Sequence, residues 1–248
     1  MEADIAIALD PDADRCAIGI PGPDGWRMLR GDETGVLLAE YVLAGAKPDS
    51  LVATTIVSSR LLSKLAPARG ARYAETLTGF KWLVRAGNGL VYAYEEAIGH
   101  CVDPTAVRDK DGITAALLFA DLAAGLRASG RSVQDVLDGY AVEFGLHVGE
   151  QISLRTDDAA AAMASLRAQP PDDFEITDLS TVRGQMRTDA VVFDGPSGRA
   201  VVRPSGTEPK LKWYLEVVEP VSDLDDLRPA RERAAARLDQ LRGALIPR

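Results

Sequence analysis

The chain has 248 residues, of which 46% are hydrophobic and 26% are charged, and its formal net charge at pH 7 is −9. This length allows one to three domains with ordinary cores, and the negative charge argues against a nucleic-acid-binding surface. No apolar run reaches transmembrane length and no signal peptide is visible, so we expect no contact with a membrane. The two cysteines, Cys16 and Cys101, form neither a disulfide framework nor a metal-ligand spacing, which is typical of a cytoplasmic protein.

Residues 1–47 are predicted to form three short strands and one helix. The strands are predicted at 4–9, 15–20 and 26–29, and the helix at 33–44. These elements bury too little apolar surface for an independent domain, so we expect the last part of a domain whose first half lies elsewhere. Such a segment leaves an unpaired strand edge and an uncovered apolar face, which favour self-association.

Residues 48–140 alternate strands with helices, which predicts an α/β domain with a mostly parallel sheet covered on both faces. The predicted strands are 51–56, 71–75 and 90–94. The predicted helices are 59–68, a short one after Thr78-Gly79, 112–128, and one from Ser132 to Tyr140.

Residues 141–248 have a different pattern, which predicts an α+β domain with a mostly antiparallel sheet. The predicted strands are 142–155, 180–186, 189–194, 198–203 and 210–218. The predicted helices are 157–168, capped by Thr156, and one that opens at Ser222 and restarts at Pro229.

Three carboxylates alternate in the loop D-P-D-A-D-R at 10–15. Asp10, Asp12 and Asp14 repel one another unless a cation lies among them, and hard oxygen ligands suit Mg²⁺ or Ca²⁺. An EF-hand is excluded because its sixth and twelfth positions hold Arg15 and Pro21. The alternative is a solvated acidic turn. Arg15 either neutralises this loop or binds an anion.

The segment Y-E-E-A-I-G-H at 94–100 follows a predicted strand of the α/β domain. Adjacent glutamates of a strand face opposite ways, so one of Glu95 and Glu96 is expected to face a cleft and accept sugar hydroxyls. The alternative is a pair of surface acids. His100 either contacts the ligand or is structural.

Two cationic segments precede helices. Thr78, Gly79 and Lys81 lie at the start of the short helix, where an N-terminus favours anions. Lys110, in R-D-K-D-G before the long helix, is within reach of the same cleft. Basic residues near helix ends are also common without any ligand.

The stretch R-P-S-G-T at 203–207 lies between two predicted strands. The guanidinium of Arg203 fits a phosphate bidentately, Ser205 and Thr207 offer hydroxyls, and Gly206 lets the backbone approach an anion closely. These features predict a phosphate-binding loop. The alternative is an ordinary Pro/Gly turn with one surface arginine.

These motifs, in this order, resemble those of the α-D-phosphohexomutase family, the phosphoglucomutases and phosphomannomutases. The loop at 10–15 is similar to the family's metal loop, usually D-G-D-G/A-D-R. L-T-G-F-K-W at 77–82, Y-E-E-A-I-G-H, V-R-D-K-D-G at 107–112 and R-P-S-G-T-E-P-K at 203–210 resemble later family loops. The strings T-G-F-K-W and E-E-A-I-G look closest to the phosphoglucomutase/phosphopentomutase-like branch.

The resemblance implies a fold, an activity and a set of site residues. Residues 1–47 would be the end of the family's second domain, 48–140 its third and 141–248 its fourth. The family moves a phosphoryl group between positions of a phosphorylated hexose or pentose by way of a phosphoserine. Mg²⁺ would bind Asp10, Asp12 and Asp14, and sugar hydroxyls would meet Glu95 and the position of Ala97. The non-reacting phosphate would bind Arg203, Ser205, Gly206 and Thr207, while Thr78, Gly79, Lys81 and His100 would contact substrate and Lys110 is a catalytic candidate.

Two departures limit the resemblance. Many relatives have serine at the position of Ala97, and the nucleophile loop T-A-S-H-N-P is absent from the chain. We therefore expect a C-terminal fragment that needs the missing N-terminal domains as its partner. The alternatives are a non-catalytic phosphosugar-binding module and a Mg²⁺-dependent sugar phosphatase with Asp10 as the phosphorylated nucleophile.

Overall fold

The computed structural model describes residues 3–22, 25–169, 171, 173–206 and 208–246. The chain forms two compact units, Met1–Tyr140 and Ala141–Arg248. Residues 3–47 therefore belong to the same unit as the α/β region, and the boundary between the units falls inside a helix.

The first unit contains two sheets. In spatial order, the antiparallel sheet contains β1 (Ala6–Leu9), β2 (Cys16–Gly22) and β3 (Gly25–Met28). The mixed sheet contains β5 (Arg72–Thr76), β4 (Leu51–Thr55), β6 (Leu90–Glu95) and β7 (Gly99–Cys101). β4 runs parallel to β5 and β6, whereas β7 runs antiparallel to β6. All of β4 is buried, as expected for a central parallel strand.

Among the described residues, five helices belong wholly or partly to this unit. They are α1 (Gly31–Gly45), α2 (Leu61–Ala68), α3 (Phe80–Leu83), α4 (Gly112–Ala128) and α5 (Val133–Phe144). In the described part of the chain no single helix is long and apolar enough to cross a membrane; only α4 and α5 together, bent by 88°, have that length and composition.

One face of the three-stranded sheet is covered at its central strand β2, whereas Ile7 and Leu9 of β1, on the same face, are exposed. Ile18 and Ile20 of β2 are buried. On the other face, Trp26 and Met28 of β3 remain 54% and 57% exposed. β1 lies at the edge of this sheet. Within the described residues, the segment thus has the free strand edge and the exposed apolar face that its sequence predicts.

The second unit is built on one antiparallel sheet of five strands. In spatial order the strands are β8 (Leu146–Arg155), β12 (Lys210–Glu219), β11 (Gly198–Pro204), β10 (Val191–Gly195) and β9 (Glu175–Asp178). The helices are α6 (Ala159–Ala168) and α7 (Leu227–Leu245). Trp213 and Phe193 stack in the core with ring centroids 6.4 Å apart. Met163 of α6 and Leu241 of α7 belong to the same buried cluster. The predicted fold class, a mixed-sheet α/β unit followed by an α+β unit, is confirmed.

The strand predicted at 180–186 is wrong. Its place is taken by β9, four residues long, which ends at Asp178. The Asp178 carboxylate accepts a hydrogen bond from the Ser180 amide, and its carbonyl accepts one from the Thr181 hydroxyl. These local bonds turn the chain away from the ladder, so residues 180–186 leave the sheet.

Other boundaries also differ from prediction. α5 continues to Phe144, and Gly145, with φ of 89°, separates it from β8. The side chain of Asp158, not of Thr156, caps α6 by accepting a hydrogen bond from the Ala161 amide. α7 is one helix from Leu227, because a proline is tolerated in a first turn. The short strand β7 has too few residues for a periodicity and was not predicted.

Helix α1 lies against β6 through two glycines. A Cβ on Gly31 would lie 2.0 Å from the carbonyl oxygen of Glu96. A Cβ on Gly35 would lie 2.6 Å from the Tyr94 ring. Any larger residue at either position must push the helix away from the sheet.

We predict that Gly31→Ala and Gly35→Ala each lower the free energy of unfolding by roughly 1–3 kcal/mol, because overpacking forces backbone shifts. Gly45→Ala is the matched control in the same helix, since nothing lies within 4 Å of its added Cβ and alanine favours helix. Urea unfolding followed by circular dichroism measures the difference. Equal stabilities of Gly35→Ala and Gly45→Ala would contradict this packing.

Candidate functional site

Two loops of the first unit are joined by backbone contacts. The acid loop, residues 10–15, follows β1, and the hairpin turn 96–98 connects β6 to β7. The amide of Cys16 donates to the carbonyl oxygen of Ile98 over 3.1 Å. Arg15 and Gly99 form an isolated antiparallel bridge. The acid loop is therefore attached to the hairpin that carries Glu95.

The segment before α4 is attached to the same place. The amide of Gly112 donates to the carbonyl oxygen of Ala13 over 3.1 Å, and the amide of Asp111 donates to that of His100 over 2.9 Å. The Asp111 carboxylate caps α4 by accepting from the amides of Ile113 and Thr114. The helix thus starts directly beside the acid loop and fixes Lys110 near it.

The acid loop brings its three carboxylates together. One oxygen from each of Asp10, Asp12 and Asp14 lies within 4.8 Å of the others. The turn closes with a hydrogen bond from the Ala13 amide to the Asp10 carbonyl, and Ala13 has a left-handed φ of 59°. Three hard oxygen donors so arranged fit Mg²⁺, which needs only a few carboxylates and completes its shell with water or phosphate.

Two cations border the acid loop. The Lys110 Nζ lies 2.8 Å from Asp14 Oδ2, and the Arg15 Nη2 lies 3.5 Å from Glu95 Oε1. Burial alone would lower the pKa of Lys110, but its hydrogen bond to Asp14 and the surrounding carboxylates outweigh burial and raise it. At Asp10, desolvation is outweighed by the hydrogen bond from the Arg15 amide and by the Arg15 charge, so its pKa falls.

The two glutamates of the hairpin have different surroundings. The Glu95 side chain is 12% exposed and faces Arg15. Glu96 Oε2 is 3.4 Å from the Thr55 hydroxyl. Burial raises the pKa of Glu95, although Arg15 and Lys110 oppose this shift. Ala97, at the tip of the turn, is exposed, so its methyl group faces outward without a hydroxyl to offer.

Ile98 closes the hairpin in an unfavourable conformation. Its φ of 57° is left-handed, which is a rare state for a β-branched residue. A three-residue hairpin loop requires such a residue at its end. Strain of this kind is held only where the surrounding contacts enforce it, and it is common at binding sites.

His100 corrects one prediction. It was expected to contact substrate, but it is fully buried and its Nδ1 lies 3.0 Å from the Tyr92 hydroxyl. Burial lowers the pKa of His100 to about 3. The ring stacks on Tyr92 and is tilted against Tyr94. His100 is therefore a neutral core residue that packs on the buried side of the hairpin.

The segment around α3 contributes an aromatic side chain that the sequence did not single out. Thr78 and Gly79 precede a helix of only four residues, too short for a strong dipole. Lys81 is exposed and lies 5.4 Å from the Trp82 ring centroid. The residue of this segment that contacts Lys110 is Phe80, whose ring centroid is 5.3 Å from Lys110 Nζ. The only signal for it was an aromatic residue between Gly79 and Lys81.

The second unit carries the predicted phosphate-binding loop between β11 and β12. The amide of Ser205 donates to the carbonyl oxygen of Lys210 over 2.9 Å and closes the loop. Arg203 and Ser205 are half-buried and Gly206 is exposed, so the loop does not belong to a core. Thr207 lies outside the described residues.

Sheet pairing adds three cations to this loop. Arg203 lies opposite Lys212, and Lys210 lies opposite Arg155. Side chains of directly opposite residues share a face, as do alternate residues of one strand, so all four cations lie on one face. Together, Lys210, Lys212 and Arg155 lower the pKa of Glu208, with the Lys210 hydrogen bond contributing most. The sequence alone cannot bring Arg155 here, because the β8–β12 register does so.

Two family models match the chain. The first, described as phosphoglucomutase/phosphomannomutase, alpha/beta/alpha domain III, matches residues 30–142. The second, described as phosphoglucomutase/phosphomannomutase, C-terminal domain, matches residues 152–234. The acid loop precedes the first match, whereas the Glu95 hairpin, Lys110 and the phosphate-binding loop lie within the matches.

Named relatives agree with these models. The chain is 38% identical to a "Probable phosphomannomutase" of Haemophilus influenzae, covering 86% of this chain and 46% of that protein. It is 32% identical to a phosphopentomutase of Mus musculus, covering 99% and 46%. The fold resembles an Aspergillus fumigatus N-acetylphosphoglucosamine mutase solved with GlcNAc-6P and magnesium, with a TM-score of 0.57, 16% identity and coverage of 94% and 52%. The chain spans about half the length of the curated relatives it matches.

The raised pKa of Glu95 gives a stability prediction. Burial favours the protonated form of Glu95 and raises its pKa above the ordinary value of 4.5. The folded chain is therefore most stable, with respect to this group, below pH 4.5, and it loses that stability as the pH rises through the higher pKa of the folded state. Because Glu95 is harder to ionise in the folded chain than in the unfolded chain, Glu95→Gln should raise Tm at pH 7 relative to the wild type.

The gain from Glu95→Gln should disappear as the pH falls to about 4, where the wild-type side chain is also neutral. Thermal melts at pH 4 and pH 7 measure it. The matched control is Glu232→Gln, whose side chain is 72% exposed and should change Tm little. A lower Tm for Glu95→Gln at pH 7 would show that the Arg15 contact outweighs burial.

Proposed function

Because the chain belongs to the α-D-phosphohexomutase family, we propose that it is the C-terminal half of a Mg²⁺-dependent phosphosugar mutase, which moves a phosphoryl group between the 1- and 6-positions of a hexose or the 1- and 5-positions of a pentose. One observation carries the proposal. The acid loop and the Glu95 hairpin are hydrogen-bonded to each other, so three potential metal ligands and an acceptor for sugar hydroxyls border one position.

In the first unit, the ionised Glu95 accepts hydrogen bonds from sugar hydroxyls, and Arg15 stabilises its charge from 3.5 Å. Asp10, Asp12 and Asp14 hold the metal. When bound, Mg²⁺ supplies charge neutralisation for phosphoryl transfer, a reaction that depends mainly on positioning and electrostatics. Ala97 offers no hydroxyl, so the sugar contact that serine makes in many relatives is absent at this position.

In the second unit, Arg203, Ser205 and Gly206 bind the phosphate that does not react. Lys210, Lys212 and Arg155 share that face of the sheet and strengthen its attraction for an anion. The sequence contains no Ser-His dipeptide, and a residue must hold the phosphoryl group while the sugar intermediate reorients. The nucleophile is therefore supplied by the N-terminal domains of the same enzyme, which are the proposed partner.

Ligand binding tests the phosphate-binding loop. We expect calorimetry to detect binding of glucose, mannose or ribose phosphates to the 248-residue chain. Arg203→Ala should weaken this binding by roughly 30- to 1,000-fold, because truncating a charged contact costs about 2–4 kcal/mol. Arg228→Ala is the matched control, since its side chain is 89% exposed on α7. If Arg203→Ala binds the phosphosugars with unchanged affinity, the loop does not bind their phosphate.

An activity assay tests whether the chain is a fragment that lacks the nucleophile. The chain alone should show no mutase turnover with a hexose phosphate and its bisphosphate activator, since binding without a nucleophile provides no covalent transfer. Adding the N-terminal half of the Haemophilus influenzae relative should restore some turnover. Robust Mg²⁺-dependent activity from the chain alone would refute the fragment, and a phosphoaspartate trapped at Asp10 would favour a sugar phosphatase instead.

A further inference from the structure

Resting on this proposed function, we infer that Lys110 is an internal counter-ion of the acid loop that competes with the metal and thereby couples metal binding to substrate binding. Its ammonium group forms an ion pair with Asp14, with Nζ 2.8 Å from Oδ2. The same carboxylate belongs to the oxygen cluster that fits Mg²⁺. The ammonium group and the metal ion therefore compete for the Asp14 carboxylate.

The position of Lys110 is imposed by its surroundings. Its side chain is only 17% exposed, and the ammonium lies 5.3 Å from the Phe80 ring centroid. The backbone on its C-terminal side is fixed by the hydrogen bonds of Asp111 to His100 and of Gly112 to Ala13. These hydrogen bonds hold the backbone beside the acid loop, so the ammonium group leaves Asp14 by rotation of the side chain.

Electrostatics gives the direction of the coupling. Three carboxylates in one turn repel one another, and the ammonium relieves that repulsion when no metal is bound. A divalent cation bound to Asp14 would lie a few ångströms from the ammonium, and the two positive charges repel strongly where solvent is partly excluded. Lys110 thus stabilises the loop without metal and weakens the affinity of the loop for Mg²⁺.

Alternative partners for the displaced ammonium lie close by. Asp109 Oδ1 is 3.7 Å from Nζ. The aliphatic chain of Lys110 passes over Gly99 beside the Glu95 carboxylate, since a Cβ on Gly99 would touch both. An ammonium released from Asp14 can therefore turn toward Glu95, where the sugar hydroxyls and a phosphate of the substrate would meet it.

Linkage makes this coupling reciprocal. If metal binding releases Lys110 toward the substrate, then a phosphorylated substrate that attracts Lys110 must tighten metal binding by the same factor. Lys110 is therefore a positioning residue, and its ammonium group lies either against Asp14 or toward Glu95 and the substrate. The free chain should bind Mg²⁺ weakly, and the affinity should rise when a phosphosugar is present.

The test is metal affinity, measured by electron paramagnetic resonance of Mn²⁺ as a substitute for Mg²⁺ on the full chain. Lys110→Met removes the charge and keeps the side-chain length, so Mn²⁺ should bind about 10-fold more tightly, within the usual range of coupling between sites. Lys110→Arg keeps the charge and should bind Mn²⁺ like the wild type. Lys47→Met, at an exposed lysine of the same unit, should change nothing.

A second measurement repeats the Mn²⁺ titration in the presence of a phosphosugar. Glucose 1-phosphate should tighten Mn²⁺ binding to the wild type and have little effect on Lys110→Met. Equal or weaker Mn²⁺ binding by Lys110→Met would overturn the inference. If glucose 1-phosphate and the other phosphosugars fail to bind while Lys110→Met still tightens Mn²⁺ binding, the proposed function fails and the counter-ion role of Lys110 stands.

A measurement on the wild type covers the case in which Lys110→Met does not fold. Reductive methylation followed by mass spectrometry reports how accessible the Lys110 amine is. We expect it to be protected in the metal-free chain, where Asp14 holds it, and more reactive at saturating Mg²⁺. Reactivity that does not change with Mg²⁺ would contradict the release of Lys110 from Asp14.

Discussion

The mutual repulsion of three carboxylates in one turn is the constraint on which the first unit depends. The carboxylates of Asp10, Asp12 and Asp14 lie within 4.8 Å of one another and repel, and a positive charge near them relieves that repulsion. The fold supplies that charge from Arg15, at the end of the same loop, and from Lys110, which is distant in sequence. The backbone must hold Lys110 against the loop for this balance to persist, and the start of α4 does so.

The same arrangement explains why a hairpin and a buried histidine lie beneath the site. The acid loop is hydrogen-bonded to the turn of the β6–β7 hairpin, so the position of Glu95 relative to the three aspartates depends on that turn. His100 and Tyr92 form a hydrogen-bonded pair under the hairpin, and both are fully buried. A neutral imidazole in this position stabilises the strand pairing without placing a charge in the core.

The sequence predicted the parts of the fold and site that depend on local patterns. The buried run of β4, the apolar period of α4 and the Pro/Gly-bounded loop after Arg203 all have signals within a few residues. Strand β7 is too short for a period. His100 has the same sequence signature whether it binds a ligand or fills a core, and only its burial decides. Phe80 and Arg155 reach their sites through tertiary and cross-strand contacts, which no local pattern encodes.

Three non-glycine residues in the described part of the chain have a left-handed backbone conformation, and two of them, Ala13 and Ile98, lie in the acid loop and the Glu95 hairpin, whereas Asp49 lies in the turn before β4. In the same hairpin, burial raises the pKa of Glu95 above its usual value. Each of these features of the loop and the hairpin lowers the stability of the free fold, and none is needed to build the sheets, whose cores are ordinary. Binding sites often carry such costs because the ligand replaces what the free protein lacks. A sugar hydroxyl donating to Glu95 and a cation among the aspartates would offset the same repulsion and desolvation that Arg15 and Lys110 offset only in part.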